Sequence, residues 1–109
     1  MIKNFLEKIE QGNAKELAEL FCDDCILHDS SLIKAGEDTL HAVGKMAVEM
    51  IFHNKFGLNG GGFKIFSKDI KDEKRAWYFI DYKNKIIPVM ADISETQDGK
   101  IKRINVYPL

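Results

Sequence analysis

The sequence predicts an α+β fold in the order helix, helix, strand, helix and then four strands. Apolar residues recur at helical spacing in two short segments near the N-terminus and in one longer segment in the middle of the chain. The second half alternates apolar and polar residues and is divided by short turn motifs, which is typical of antiparallel strands. At 109 residues the chain has the length of one domain, and we expect residues 1–109 to share a single core.

The composition is that of a soluble globular protein. Hydrophobic residues make up 45% and charged residues 30% of the chain, with sixteen basic and seventeen acidic residues. Lysines and acids are interspersed, so we expect no basic surface of the kind that binds nucleic acids. No segment reaches the roughly 20 apolar residues that cross a bilayer, and charges near the N-terminus interrupt any signal-peptide pattern. We expect a cytoplasmic protein that binds neither nucleic acid nor membrane.

Three helices are expected. The first covers residues 2–11, where apolar residues recur on one helical face, and Gly12 ends it. The second covers residues 14–21 by the same pattern. The third is expected to begin at Gly36, because two acids follow it and complement the positive end of a helix dipole, and to end near Asn54. Its apolar residues cover more than one stripe, which predicts burial on most sides.

Five strands are expected. A short one covers residues 25–28 and is followed by a turn at Asp29. Four glycines between Gly57 and Gly62 predict a flexible loop, and no lysine-serine or lysine-threonine pair follows that would indicate a phosphate-binding loop. The four later strands are expected at residues 63–70, 74–83, 86–95 and 100–107. Asp98-Gly99 is a strong hairpin signal, so the sheet should be largely antiparallel.

The strand at residues 74–83 carries bulky apolar side chains on both faces. One face can cover the helices, whereas the other is left to contact something else. A second copy of the chain is the simplest partner for that face. The sequence therefore predicts a homodimer that forms through the outer face of the sheet.

The chain resembles the nuclear transport factor 2-like superfamily along its whole length. The residues that carry the resemblance are Gly12-Asn13, Leu20-Phe21 with Asp23-Asp24, His28-Asp29, Gly36 and Asp98-Gly99-Lys100-Ile101. The resemblance implies a cystatin-like cone, in which a curved, mostly antiparallel sheet wraps around a long third helix and encloses a pocket. Ketosteroid isomerases, SnoaL-like polyketide cyclases, dehydratases and pocket proteins without known activity share this fold, so the fold alone selects no function.

Asp29 resembles the general-base aspartate of the isomerases. It can also serve its turn, since an aspartate side chain accepts backbone N–H groups, and the two roles can coexist. The isomerases place two oxyanion donors at positions that correspond to Phe5 and Ala91, which offer no hydrogen bond. Asp92 is one residue away and would reach the pocket only if a bulge at Pro88 exchanged the strand faces. The resemblance therefore implies Asp29 as a candidate base and Asp92 as a weaker one.

Three classes of function remain open. The resemblance implies an apolar pocket with Asp29 as its polar anchor, lined by Phe5, Ile9, Met46, Met50, Phe79, Ala91 and Ile104. A small-molecule-binding protein is favoured, because few polar groups converge on such a pocket. An isomerase, cyclase or dehydratase could use Asp29 as base on a hydrophobic carbonyl-bearing substrate. A homodimeric association module would need no ligand.

Two cysteines and three histidines are the residues from which a metal or redox site could form. Cys22 and Cys25 lie three residues apart, with His28 close by, but structural zinc sites use four ligands and no second motif is present. Cys22 falls at the C-terminal end of a predicted helix, which disfavours a reactive thiolate. His41 and His53 would lie about 120° apart on the third helix and cannot form a ligand pair. We expect two reduced cysteines and no metal or cofactor.

Overall fold

Three helices pack against one face of a six-stranded sheet in the computed structural model, which describes all 109 residues. The helices are α1 (Ile2–Gln11), α2 (Ala14–Ala18) and α3 (Lys45–Asn59). The strands are β1 (Phe21–Asp29), β2 (Leu40–Val43), β3 (Lys64–Ile70), β4 (Arg75–Tyr82), β5 (Lys85–Gln97) and β6 (Lys100–Pro108). A short 3-10 turn at Ile33–Ala35 lies between β1 and β2. The predicted α+β class is confirmed, and the structure adds one strand, β2.

The strands are ordered β2-β1-β6-β5-β4-β3 across the sheet. All neighbours are antiparallel except β1 and β6, which run parallel. The pairing of β4 with β5 is unbroken from Arg75 opposite Asp92 to Tyr82 opposite Lys85. Pro88 pairs with Phe79 within this register, so the strand has no bulge there. Asp92 consequently stays on the outer face of the sheet.

The first helix follows directly from its sequence pattern. It buries the four apolar side chains that predicted it, Ile2, Phe5, Leu6 and Ile9. Each such side chain contributes about 1.5–3 kcal/mol by leaving water. Gly12 ends α1 in the left-handed conformation, with a φ of 72°, and its N–H donates to the Lys8 carbonyl. Asn13 then caps α2 by accepting the N–H of Glu16.

The third helix begins later than predicted. Gly36 ends the 3-10 turn instead of starting a helix, and the chain forms β2 before α3 starts at Lys45. The physical reason is a long-range one, because Leu40–Val43 pairs with residues 26–29 of β1. The helix also continues past Asn54 to Asn59, so the predicted loop over residues 57–62 begins only at Gly60.

Only one stripe of α3 is buried. Val48, Phe52 and Phe56, each four residues apart, face the core. Met46, Met50 and Leu58 are 79%, 64% and 88% exposed, so the predicted burial on most sides is wrong. The sheet and α2 cover one side of α3 and leave the opposite side to solvent. Neither this helix nor α1 or α2 is long and apolar enough to span a bilayer.

The glycine loop after α3 docks tightly against the end of α1. The N–H of Phe63 donates to the Ile9 carbonyl at 3.0 Å, which brings the two backbones together. A Cβ atom on Gly62 would overlap the backbone carbonyl of Glu10. No side chain fits in that space, so the loop is a packed contact and not the flexible connection that the sequence suggested.

Gly62→Ala is therefore expected to destabilise the protein by about 1–3 kcal/mol, the usual cost of overpacking a tight contact. Gly57→Ala is the matched control, because a Cβ at Gly57 meets nothing within 4 Å and alanine favours a helix. Urea denaturation of both variants measures the difference in unfolding free energy. Equal stability of the two variants would contradict the proposed backbone contact.

Candidate functional site

A small cavity lies between α1, α3, the inner face of the sheet and the loop that joins β1 to β2. Its fourteen lining residues are Phe5, Ile9, Asp29, Ser31, Leu32, Glu37, Asp38, Leu40, Phe52, Lys55, Phe63, Tyr78, Ile80 and Val106. Nine of them are hydrophobic, so polar side chains are a minority of the lining. The cavity volume is about 20 Å³, enough for about one water molecule. Side chains therefore fill most of the pocket that the fold could enclose.

Asp29 lies at the C-terminal end of β1 and faces this cavity. One carboxylate oxygen, Oδ1, accepts the backbone N–H of Ser31 at 2.8 Å and the Ser31 hydroxyl at 2.5 Å. Burial raises the pKa of Asp29 above its ordinary value, although the Ser31 hydrogen bonds and the nearby Lys55 charge oppose the increase. The turn role and the cavity-facing position therefore coexist at Asp29, and its second oxygen keeps its hydrogen-bonding capacity.

Tyr78 supplies a further polar group to the cavity. It lies on the inner face of β4 and is buried, yet its hydroxyl makes no hydrogen bond within the protein. No side-chain oxygen or nitrogen is both fully buried and unpaired, so this hydroxyl borders the open space of the cavity. Burial, and then the Asp29 charge, raise the pKa of Tyr78, which keeps the phenol protonated. The cavity thus contains a permanent O–H donor near a carboxyl group.

Glu37 closes the mouth of the cavity through three contacts. Its Oε1 accepts from Lys55 Nζ of α3 at 3.0 Å and from the Tyr82 hydroxyl at 3.1 Å. Its Oε2 accepts from Lys83 Nζ at 3.0 Å. The hydrogen bonds from Lys55, Lys83 and Tyr82 lower the pKa of Glu37 to about 2. The loop between β1 and β2 is therefore attached to α3 and to the β4–β5 turn by an ionised carboxylate.

The predicted pocket residues separate into three groups. Phe5 and Ile9 line the cavity together with Asp29. Ala91 and Ile104 are fully buried in the core but do not line it. Met46, Met50 and Phe79 lie elsewhere: both methionines are on the solvent side of α3, and Phe79 is on the outer face of the sheet. The late start of α3 and the alternation of β4 account for these positions.

The other candidate residues do not gather at the cavity. Asp92 faces outward between Arg75 and Asn105. Cys22 donates to Asp24 Oδ1, while Cys25 is buried, and burial raises the pKa of both thiols. His28 points to the outer face of the sheet, whereas Cys25 of the same strand points to the inner face. These groups do not converge on one point as zinc ligands would.

His41 is in β2, where it pairs with His28, and not in the third helix as predicted. Ring centroids of the two histidines lie 6.0 Å apart. His53 is exposed on α3. None of the three histidines lines the cavity.

An apolar patch covers the outer face of the sheet away from the cavity. We call it the outer apolar face and define it as Phe66, Trp77, Phe79, Ile86, Met90 and Tyr107. Phe66 stacks on Phe79 with ring centroids 5.7 Å apart, and Trp77 contacts the edge of the same ring. Strand pairing places Met90 beside both Trp77 and Tyr107, so the patch is continuous.

Sequence reasoning missed Tyr78, Lys55 and Glu37. The sequence did contain a signal for Tyr78. The β4 residues that share a face with Phe79 include two charged residues, Arg75 and Asp81. A face with two charges is expected to lie outward, which would have directed Tyr78 inward. Lys55 and Glu37 had no such local signal, since each acts through a partner distant in the sequence.

Asp29→Asn tests the protonation of Asp29 through the pH dependence of stability. Asparagine keeps an acceptor oxygen for Ser31 but cannot ionise. Because the folded-state pKa is raised, the stabilising effect of Asp29 is complete below its ordinary pKa of 3.8 and is lost as pH rises through the raised value. We expect the unfolding free energy of the wild type minus that of the variant to fall from about pH 4 upward.

Urea denaturation at several pH values measures this difference. Asp23→Asn, at an exposed aspartate of the same strand, controls for the loss of one negative charge. A difference between the wild type and Asp29→Asn that rises with pH would contradict the raised pKa.

No protein-family model matches the sequence, and no curated protein matches it either. Solved structures nevertheless resemble the fold over nearly the whole chain. A nuclear transport factor 2-like protein from Anabaena variabilis has a TM-score of 0.69 and 16% identity, and the match covers 99% of this chain and 83% of that one. A SnoaL-like protein of unknown function from Burkholderia thailandensis has a TM-score of 0.65 and 9% identity, with 98% and 89% covered.

A third similar structure is a cystatin-fold protein from Novosphingobium aromaticivorans. Its TM-score is 0.70 at 11% identity, and the match covers 96% of this chain and 92% of that one. At such low identities the likeness concerns the path of the backbone and not the chemistry of the site. The chain therefore has the α+β, cystatin-like fold that these nuclear transport factor 2-like, SnoaL-like and cystatin-fold structures share.

Proposed function

We propose that the protein binds a small molecule in the cavity beside Asp29 and Tyr78. One observation carries this proposal: a phenol and a carboxyl group face a mostly apolar space while keeping unused hydrogen-bonding capacity. Buried polar groups in proteins are normally paired, so polar groups turned toward a cavity are typical of a recognition site. The apolar wall would hold the body of the ligand, and Tyr78 with Asp29 would fix its orientation.

The ligand enters by displacement of the loop between β1 and β2. A volume of about 20 Å³ admits no organic molecule, so part of the wall must move. Leu32, Glu37 and Asp38 belong to this loop and line the cavity. Most of the loop makes no strand pairing, whereas the remaining wall belongs to helices and paired strands, except for Phe63, whose backbone N–H donates to the Ile9 carbonyl. The loop is therefore the part of the wall that opens at the lowest cost in free energy.

Binding is favoured over isomerisation on the same cavity. The positions that carry the oxyanion donors in isomerases are Phe5 and Ala91, and both are apolar and buried. Removing one such donor typically costs a hundredfold or more in rate. Asp29 as a general base, with Tyr78 as the one remaining donor, is the enzymatic alternative. It predicts turnover of a carbonyl compound that disappears in Asp29→Asn.

Protein-observed NMR with a fragment library tests the binding proposal. We expect saturable shifts in the amide signals of β4 around Tyr78 and of the loop that follows Asp29. Tyr78→Phe should weaken these hits several-fold, because one hydrogen bond contributes about 1 kcal/mol. Tyr107→Phe is the control, since Tyr107 lies on the outer face. Absence of any fragment that shifts the cavity signals would contradict the proposal.

We also propose that two chains associate through the outer apolar face. The aromatic cluster of Phe66, Trp77 and Phe79 supports this second proposal, because monomeric proteins rarely leave continuous apolar patches exposed. Aromatic residues are enriched where proteins contact each other. Dimerisation and ligand binding are compatible, since the patch and the cavity lie on opposite faces of the sheet.

Light scattering coupled to size-exclusion chromatography tests the dimer. We expect the wild type to elute as a dimer and Phe66→Ser to shift toward monomer. Met46→Ser is the control, because Met46 is an apolar residue on the helical side that is even more exposed than Phe66. A wild type that stays monomeric at high concentration would refute the association.

A further inference from the structure

Glu37 occupies a complete carboxylate site at the mouth of the cavity. Three donors converge on it from α3 and from the β4–β5 hairpin: Lys55 Nζ from α3, the Tyr82 hydroxyl from the end of β4, and Lys83 Nζ from the turn of the hairpin. Both carboxylate oxygens are bonded, with distances between 3.0 and 3.1 Å. Charge-assisted hydrogen bonds of this type are the strong ones in proteins. The arrangement binds a carboxylate as a ligand site would.

The donors belong to elements other than the loop that carries Glu37. Lys55 lies on α3 and its side chain is only 17% exposed, whereas Glu37 lies on the loop between β1 and β2. The Tyr82 ring packs against Phe63 with centroids 5.7 Å apart, and Tyr82 pairs with Lys85 in the sheet. When the loop moves away, these donors remain at the cavity mouth. They then have two positive charges and no carboxylate partner.

We propose that Glu37 stands in for the carboxylate of the ligand, and that the cavity takes small amphipathic carboxylic acids. The acid group of the ligand displaces Glu37 from Lys55, Lys83 and Tyr82, and its apolar body enters the space that the loop vacates. This inference rests on the binding function proposed above and assigns a chemical class to that ligand. Because Glu37 and Lys55 both line the cavity, one movement exposes the donors and widens the pocket.

Charge favours an acid over an amine or a neutral ligand. Displacement of Glu37 by a carboxylate conserves each of the three hydrogen bonds, whereas an amide offers one neutral oxygen and an ammonium group repels both lysines. Glu37 competes with the ligand because it is attached to the same chain and has a high effective concentration at the site. The wild type should therefore bind acids weakly, and removal of the Glu37 charge should strengthen binding.

Isothermal titration calorimetry tests the inference with three compounds that share one carbon skeleton and differ in their polar group: 3-phenylpropanoate, 3-phenylpropanamide and 3-phenylpropylammonium. We expect Glu37→Gln to bind the propanoate about tenfold more tightly than the wild type, since a neutral amide competes less well than a carboxylate. Lys55→Met should abolish the preference for the propanoate over the propanamide. Glu49→Gln, at an exposed glutamate of α3, is the control and should behave as the wild type.

The outcomes separate this inference from the binding function. If Glu37→Gln binds the propanamide or the ammonium compound as tightly as the propanoate, and Tyr78→Phe weakens that binding, the inference fails and the binding function stands. Equal propanoate affinity in the wild type and in Glu37→Gln also overturns the inference. Absence of binding of all three compounds to every variant counts against both proposals. Circular dichroism confirms that each variant is folded.

Discussion

The unbroken register between β4 and β5 is the constraint on which the cavity and both faces of the sheet depend. Because side chains alternate along a strand, this register turns Tyr78 and Ala91 inward and Phe79 and Asp92 outward. A slip of one residue would move the phenol to solvent and a charged group into the core. The hydrophobic core, the polar end of the cavity and the outer apolar face are thus three results of one pairing.

The cavity combines walls of different rigidity. Helices and paired strands supply Phe5, Phe52 and Tyr78, whereas a loop with a single 3-10 turn supplies Leu32 and Glu37. Polar groups stand at both ends, with Asp29 and Tyr78 inside and the lysine pair around Glu37 at the mouth. An amphipathic ligand would match this distribution of polar and apolar groups along the cavity. The ion pairs of Glu37 with Lys55 and Lys83, which hold the loop closed, are the contacts that a bound ligand would replace.

Local physics accounts for the parts of the fold that could be predicted from the sequence. Ile2, Phe5, Leu6 and Ile9 fall on one face only if the segment is a helix, so α1 was predictable. Leu40 to Val43 satisfies a helical and a strand pattern equally in four residues, and only pairing with β1 decides between them. Asp29 was predictable as a candidate because the segment His28-Asp29 resembles the one that carries the general base in the isomerases. Glu37 was not, because Lys55 and Lys83 are 18 and 46 residues away in the chain.

The parallel contact of β1 with β6 has a consequence for how the molecule folds. Residues 26–29 pair with residues 103–106, so about two-thirds of the chain lies between the two partners. Closing so large a loop is entropically expensive, whereas the hairpins from β3 to β6 need only local turns. The hairpins therefore have the kinetic advantage, and β1 joins them late. Asp29 reaches Tyr78 only at that stage, so the polar end of the cavity is a product of the last and most non-local step of assembly.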